Sequence, residues 1–583
     1  MSRSSKLLLT TALVGVPLLA SAGELSFTPA PVPLTDAAKR EVVVSPSVTV
    51  NGVEHKIGYH VLARSGDKIG DQVFATLIDK SGKPVLSADG QPVISTSADF
   101  TSLLPVGDKL YSVTHFESRP GAMYLSELAT DTEGNLTPVS TKPIDFSAFD
   151  GLWVPCAGSV TPWRTHLGSE EYPPDARAIE EAKSLDDIDD YNKPMASYFD
   201  VDPATMTLEQ FRAVFNPYAY GYPTEITVTA DGNGTAQKHY AMGRVAVELS
   251  YVMPDQKTAY ISDDGTNVGL FRFVADEPGK LDAGTLYAAK WVQTSDEGAG
   301  SAKIEWVDLG HAASAEIRAA IEKKLSFSDL FETAKIAADG KCPEGFRPSN
   351  AEARAECLKI KPGMDVVASR FETRRYASMM GATTEFRKME GISFDPATKT
   401  MFLSMSEVEK GMEDKAKDNK YDLGGSNDIR VKANACGAVY KLTLDSNYAA
   451  TDMTGLVAGI PHEYEKDSKY AGNTCDMDGL ANPDNITFIP GYDTLIIGED
   501  TGTGHQNDAI WAYNFPTKKL TRIETTPYGA ETTSAYWYPN VNGHGYLMSV
   551  VQHPYGESDE DKLQNPGQSR AYVGYIGPFP AMD

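Results

Sequence analysis

The sequence predicts an all-β chain, a six-bladed β-propeller with helical insertions decorating one face. Three observations carry that expectation: a short phrase recurs six times, β-forming runs separated by turn residues fill most of the length, and helical periodicity is confined to two stretches. In the clearest copies an acid stands six positions before a proline, and a threonine follows that proline by four. These are Glu248, Pro254 and Thr258; Glu390, Pro396 and Thr400; and Asp484, Pro490 and Thr494. Each copy then runs into carboxylates, Asp263/Asp264, Glu407 and Glu499/Asp500 respectively. A fourth copy begins on a cysteine, Cys156, passes Pro162 and ends at Glu170/Glu171. Looser copies run from Asp99 through Pro105 to His115, and from Glu531 through Pro539 to Gln552-His553. Repeated units stacked about an axis bring equivalent positions together, and small antiparallel sheets arranged radially around a channel do this for six of them.

The elements follow in order. Arg3 and Lys6, the apolar stretch 7–19 and Ala20-Ser21-Ala22 read as a secretory signal peptide over 1–22, of the Sec type, so a periplasmic or secreted protein is expected. Residues 23–583 read as a single propeller domain with insertions at about 172–235 and 308–380. Strands are expected over 56–63, 72–77, 109–116, 258–262, 400–405 and 494–497, rich in β-branched, aromatic or aliphatic residues and bounded by turns such as Asp395-Pro396 and Pro490-Gly491. Helices are expected over 175–183, 208–215 and 311–325, the last with Ile317, Ile321 and Leu325 on one face.

A formal net charge of -27, with the acids dispersed along the chain, argues against nucleic acid or an anionic membrane surface as partner. After the leader no stretch approaches the length of a transmembrane helix. Five cysteines in an exported chain invite pairing, and Cys342 with Cys357 and Cys436 with Cys475 are the expected disulfides. Cys156 is then the odd thiol, in the position where sister repeats carry acids.

If the repeats converge, Cys156, Glu248, Glu390 and Asp484 line one rim of a channel, with Glu171, Asp264 and Asp500 one strand away. Carboxylates held so close cannot all stay ionised unless cations neutralise them, so the cluster predicts metals. Asp and Glu oxygens suit a hard ion such as calcium, while one thiolate among them suits a transition metal, iron or zinc.

The run from Cys156 through Thr161-Pro162-Trp163 to Glu170-Glu171 resembles the signature of the PhoX-type alkaline phosphatases. Gly243-Arg244 with Glu248, Asp263-Asp264, Met389-Glu390-Gly391, Pro483-Asp484-Asn485, Glu499-Asp500, Gly529-Ala530-Glu531 and Gln552-His553-Pro554 continue the resemblance in order. It implies a propeller holding two iron ions and several calcium ions, hydrolysing small phosphomonoesters at alkaline pH outside the cytoplasm. By the same resemblance Cys156, Glu171, Glu248, Glu390 and Asp484 belong to the metal cluster, Asp264 and Asp500 are calcium ligands, and Glu531 is a further one. Arg387, Lys388 and Arg244 are the candidates for a cation that acts on the phosphate or the leaving oxygen, with His553 and Arg164 behind them. The leader lacks the Arg-Arg pair of better-known members, Lys388 stands where the family has arginine, and Leu249 stands where it has an aromatic residue. A monomer is expected. Two other classes stay open: a calcium-dependent propeller lactonase or phosphodiesterase, and a non-catalytic propeller stabilised by calcium. The lactonase reading gives no reason for a thiolate at Cys156.

Overall fold

Antiparallel meanders of four strands recur through the computed structural model, which describes residues 23–582; the leader expected over 1–22 lies outside the described residues. The first sheet comprises Ala98–Val106, Lys109–Phe116, Ala122–Thr130 and Leu136–Pro143. The second comprises Ser159–Val160, His166–Gly168, Thr224–Val228 and Gly234–Lys238. Val247–Val252, Thr258–Asp263, Phe271–Glu277 and Lys280–Ser295 make the third, and Met389–Asp395, Thr400–Met405, Ala438–Leu444 and Ala450–Ala458 the fourth. These two are joined edge to edge by Ser301–Ala313, giving one sheet of nine strands. The fifth is Pro483–Ile489, Thr494–Glu499, Ala509–Asn514 and Lys519–Thr525, extended by Val43–Val44. The sixth, Glu531–Val541, His544–Gln552 and Tyr572–Pro580, is completed by Gly58–Arg64 from the other end of the chain.

Each sheet begins at one copy of the recurring phrase. The leading strands of the third to sixth sheets touch in that order, the sixth touches the first, and the second sheet touches both the first and the third. The aspartate beside the phrase's proline makes the turn that follows. Asp255 accepts from the backbone N–H of Lys257 and Thr258 (3.0 and 2.9 Å) and from the Thr258 hydroxyl (2.7 Å), and Asp395 does the same for Ala397 and Thr398. A short acceptor side chain closing its own turn fixes the register of the hairpin behind it. Aromatic side chains fill the space between sheets, as where Phe402 of the fourth stacks on Phe488 of the fifth at 5.6 Å.

Expected strands at 109–116 and 400–405 are found unchanged, and those at 258 and 494 run on to Asp263 and Glu499. Only Gln72–Val73 of the run 72–77 is a strand; the segment beyond it is held by isolated bridges such as Thr76 to Ile94. Six of the seven α-helices among the described residues lie in the two expected insertions, but both insertions are shorter than expected. Thr224–Val228 is already a strand of the second sheet, and the helix expected from 311 begins at Ser314 because Ser301–Ala313 is committed to the nine-stranded sheet. Ile317 and Ile321 are buried as the periodicity requires. The second insertion also carries a small sheet of Phe331–Ala334, Arg347–Ala351 and Arg354–Ile360. Both expected disulfides are formed, Cys342 to Cys357 and Cys436 to Cys475, and Cys156 is free and buried.

One buried acid makes the fold itself sensitive to pH. Glu524 of the fifth sheet accepts from the Ser549 hydroxyl of the sixth at 2.7 Å, while its other oxygen has no partner. Burial pushes its pKa up to about 8. An acid with a folded-state pKa above its unfolded value binds protons on folding, so its contribution is complete below the unfolded pKa and is lost as pH rises toward 8. The loss is roughly 1.4 kcal/mol per pH unit across that window. Glu524→Gln is therefore expected to raise the melting temperature at about pH 9 and to change it little near pH 4.5, as read by scanning calorimetry.

Candidate metal centre

In four of the six leading strands the ladder slips at the first residue of the phrase. The slips fall between Ala98 and Thr101, Val247 and Ser250, Met389 and Ile392, and Pro483 and Ile486. They contain Asp99, Glu248, Glu390 and Asp484. A bulge removes a residue from the ladder and re-aims its side chain, which a residue in strict alternation could not do without exposing its neighbours. The residue before the slip pairs with the end of the next strand, Ala98 with Phe116, Val247 with Asp263 and Pro483 with Glu499. One position further on stand Glu117, Asp264 and Asp500, so the second and third of these hairpins each deliver two acids to one place, and the first delivers Glu117, with Asp99 grouped beside it and Cys156.

That place is a cavity of about 390 Å³ lined by ten carboxylates and Cys156. Donor atoms of Cys156, Glu171 and Glu248 lie within 4.8 Å of one another, as do those of Glu248, Glu390 and Asp484, and those of Asp99, Glu117 and Cys156. Cys156 and Glu248 each belong to two of these groups, so the donors form one continuous surface. Cys156 Sγ is 3.4 Å from Asp99 Oδ2, and Asp99 Oδ1 is buried with no partner. A fourth group, Glu531, His553 and Glu557, sits at the rim.

The doubled acids divide their labour. The first of each couple turns into the fold and is satisfied there: Glu170 by Lys238 (2.7 Å), Asp263 by Arg374, and Glu499 by His505 (2.9 Å) and Trp511 (2.7 Å). The second, Glu171, Asp264 or Asp500, faces the cavity. Burial, followed by the charges of neighbouring carboxylates, pushes Glu171, Glu248, Glu390 and Glu531 well above the usual carboxylate range. Burial and then Asp500 raise Asp484 to about 7, and burial and then Asp99 raise the Cys156 thiol. Asp264 alone among the deeper acids is held low: burial opposes its charge, but Lys388 and the Tyr172 hydroxyl outweigh it. Orienting donors reach the acids as well, Ser406 Oγ to Glu390 at 2.8 Å and Asn485 Nδ2 to both oxygens of Asp484 at 3.0 Å.

Of the three cations proposed from sequence, the fold brings only Lys388 to the cavity. Its Nζ lies 3.3 Å from Asp500 and 3.7 Å from Glu390, and these acids, with Asp264, hold its pKa well above the ordinary value although burial works against the charge. Arg387 turns aside to Glu407 (2.7 Å), the Thr266 hydroxyl (2.9 Å) and the Gly265 carbonyl (3.2 Å). Arg244 is a correction: it is buried, and it donates to the carbonyls of Tyr220, Phe371, Pro174 and Pro217. It braces the chain behind the site. Arg164 is exposed, whereas His553 lines the rim.

His115, the end of the looser first copy, also faces away. Its Nδ1–H donates to the Cys156 carbonyl at 2.5 Å, its Nε2 accepts from His166 Nε2–H at 2.6 Å, and His166 Nδ1 accepts from the Ser102 hydroxyl at 2.8 Å. Burial lowers the His115 pKa to about 4, so the pair is neutral and anchors the backbone of Cys156. The acid that reaches the cavity from this repeat is Glu117, two residues later, in the position that Asp264 and Asp500 hold in theirs. That spacing was the available signal. Glu407 had been recognised as the end of its copy and also lines the cavity, while Glu557 and Tyr172 had no repeat to mark them.

The alkaline phosphatase PhoX family model matches residues 121–554. The chain belongs to that family. It is accordingly an alkaline phosphatase, a hydrolase of phosphomonoesters. Among solved structures it is similar to Pseudomonas fluorescens PhoX in complex with vanadate, a transition state analogue, at 16% identity and a TM-score of 0.61 over 95% of this chain and 98% of that one. The two share a fold. A Trichoderma reesei carbohydrate-active enzyme of family AA12 aligns at 8% identity and a TM-score of 0.31, over 83% of this chain and 93% of that one. A mutant Trypanosoma rangeli sialidase aligns at 7% and 0.30, over 89% and 58%. Neither adds to the argument. No curated protein matches the chain.

The donor set fits metal ions. One lysine and one histidine face ten carboxylates and a thiol, so without cations the acids must take up protons, as their raised pKa values indicate. Chelation at about pH 8.5 is expected to lower the melting temperature by several degrees, and by less near pH 5.5, where protons can replace metal. Thermal melts with and without chelator at the two pH values check this.

Proposed function

We propose that this phosphatase is metal-dependent and exported, and that its six sheets are the blades of a propeller whose channel mouth holds the catalytic cations. What carries the reading is the convergence of acid-bearing bulges from separate sheets on one cavity that also contains a buried thiol. The two insertions, which end before Thr224 and begin at Ser314 respectively, belong to that single domain. Two formed disulfides support an oxidising compartment, as the expected leader does.

Cys156, Glu171, Glu248, Glu390 and Asp484 would hold transition-metal ions, with iron expected. Asp264, Asp500 and Glu531 offer oxygen ligands suited to calcium. Bound there, such cations polarise the phosphoryl group, offset the charge that grows in the transition state and raise the reactivity of the attacking nucleophile. The chain's own part is to hold the ligands still and ionised. The bulges fix the carboxylate positions, Ser406 and Asn485 orient two of them, and Tyr172 holds Asp264. Lys388, whose Nζ lies in the cavity beside Asp500 and Glu390, would pair with a phosphoryl oxygen or the departing alkoxide. It does so as a point charge, without the fork that arginine would offer.

Elemental analysis of purified protein together with phosphomonoester turnover tests the reading. Iron and calcium are expected, and Cys156→Ala should lose the transition metal and at least ~100-fold in kcat. A variant that keeps both would overturn the ligand assignment. Lys388→Gln is expected to keep its metals and lose roughly tenfold or more in kcat/KM, with partial recovery in Lys388→Arg, by steady-state kinetics.

A further inference from the structure

The cavity of the metal centre has a neighbour. Tyr172, whose hydroxyl donates to Asp264, lines both the metal cavity and a second one of about 660 Å³, and is the one residue common to the two linings. Tyr172 is 40% exposed, so the side chain that the two spaces share is accessible. The position is built: Tyr172 holds a left-handed φ of 44°, its carbonyl accepts from Trp153 Nε1 at 3.0 Å, and its ring meets Tyr191 edge-on at 6.4 Å. Tyr191 is in turn covered by the Arg119 guanidinium, 3.6 Å from the ring centroid.

Both insertions contribute to the larger cavity. The first supplies 186–192 and the short helix Ala176–Glu181, and the second supplies Glu352 and Arg354 from the hairpin tied by the Cys342–Cys357 disulfide. Its two arginines are spent on partners within the fold. Arg354 pairs with Asp175 at 2.9 Å, and Arg374 pairs with Asp263 and, at 2.6 Å, with Glu352. Asp187 and Asp189 bond only backbone N–H groups and a serine hydroxyl, which leaves their charge in place, and Asp186 has no ion pair. The wall is therefore negative, in a space of a size that takes a sugar or a nucleoside.

A phosphomonoester whose phosphate meets the metal centre must extend its alcohol portion away from it. We infer that the alcohol portion occupies this second cavity past Tyr172, and that the acidic wall selects esters with a neutral or cationic alcohol over those carrying further anionic groups. This rests on the phosphatase reading above and adds the substrate class to it. Attraction and repulsion across such a wall act on the charge of the leaving alcohol and leave the chemistry at phosphorus unchanged, so they appear in kcat/KM and weaken with salt.

The test uses the metal-loaded enzyme and four esters: phosphocholine, glycerol 2-phosphate, 3-phosphoglycerate and p-nitrophenyl phosphate. At low ionic strength kcat/KM for phosphocholine is expected to exceed that for 3-phosphoglycerate by about tenfold or more. In Asp186→Asn/Asp189→Asn, and in wild type at high salt, that ratio should fall at least ~3-fold while glycerol 2-phosphate changes little. Ala178→Trp, placed on the exposed cavity wall, should raise KM for p-nitrophenyl phosphate more than for glycerol 2-phosphate. A ratio near one in wild type, or one unmoved by the double substitution, overturns the inference while turnover of p-nitrophenyl phosphate keeps the phosphatase reading intact. Absence of turnover on all four esters by metal-loaded enzyme overturns both.

Discussion

Mutual repulsion among carboxylates in one cavity is the constraint on which the rest of this structure turns. Left to themselves, buried acids at this spacing would move apart or go neutral, and the fold prevents the first. Glu248, Glu390 and Asp484 are each fixed by a bulge with paired residues on both sides, so moving one of them would disturb its ladder. Protonation is the remaining outlet, and it is what the raised pKa values describe. A scaffold that holds charge in an unfavourable arrangement pays its own folding cost in advance, and in return it presents a cation with ligands that need no reorganisation.

The same constraint explains the second row of acids. Glu170, Asp263 and Glu499 sit one residue before cavity ligands, and each is given its own cation or donor set inside the fold. Were these also left unpaired, the charge problem would double within a few ångströms. His115 and His166 solve a related problem behind Cys156, where a buried charge would add to the load; a neutral imidazole pair makes the needed hydrogen bonds without one.

Much of this was legible in the sequence because the signal was periodic. Acid, proline and threonine at fixed spacing encode a bulge, a turn and a second strand, so Glu248, Glu390 and Asp484 announce themselves as equivalent, and Cys156 by substitution among them. Direction was not legible. Arg244 lies in the same short run as Glu248, yet Gly243, at a φ of 90°, turns the chain so that the arginine reaches back under the insertions. His115 and Glu117 are two residues apart, yet the first bonds the Cys156 carbonyl and the second, just past the strand, lines the cavity. Glu557 and Tyr172 come from segments outside the repeat, where no spacing constrains where a side chain points. The insertions were visible as helical periodicity, but their edges were not: Thr224–Val228 joins the second sheet, and 308–313 pairs back onto the preceding strand at 283–287.

The insertions are more than decoration, since Tyr172 of the first lines the metal cavity and Arg374 of the second pairs with Asp263 behind it. Arg374, from the helix Thr373–Met379, donates to Asp263 and to the carbonyl of Asp264, and also pairs with Glu352 on the wall of the larger cavity. Asp264 accepts from Tyr172, which stands between the two cavities. An acid that lines the metal-site cavity, the residue shared by the two spaces and the charge on the outer wall are thus linked through two side chains and one backbone carbonyl. Charge placed in the larger cavity competes directly for Arg374. Any release of Arg374 from Asp263 leaves a buried carboxylate unpaired one residue from a cavity ligand, which is costly. The sheets set where the cavity acids stand, and Arg374 ties the second insertion to the strand end that carries Asp264.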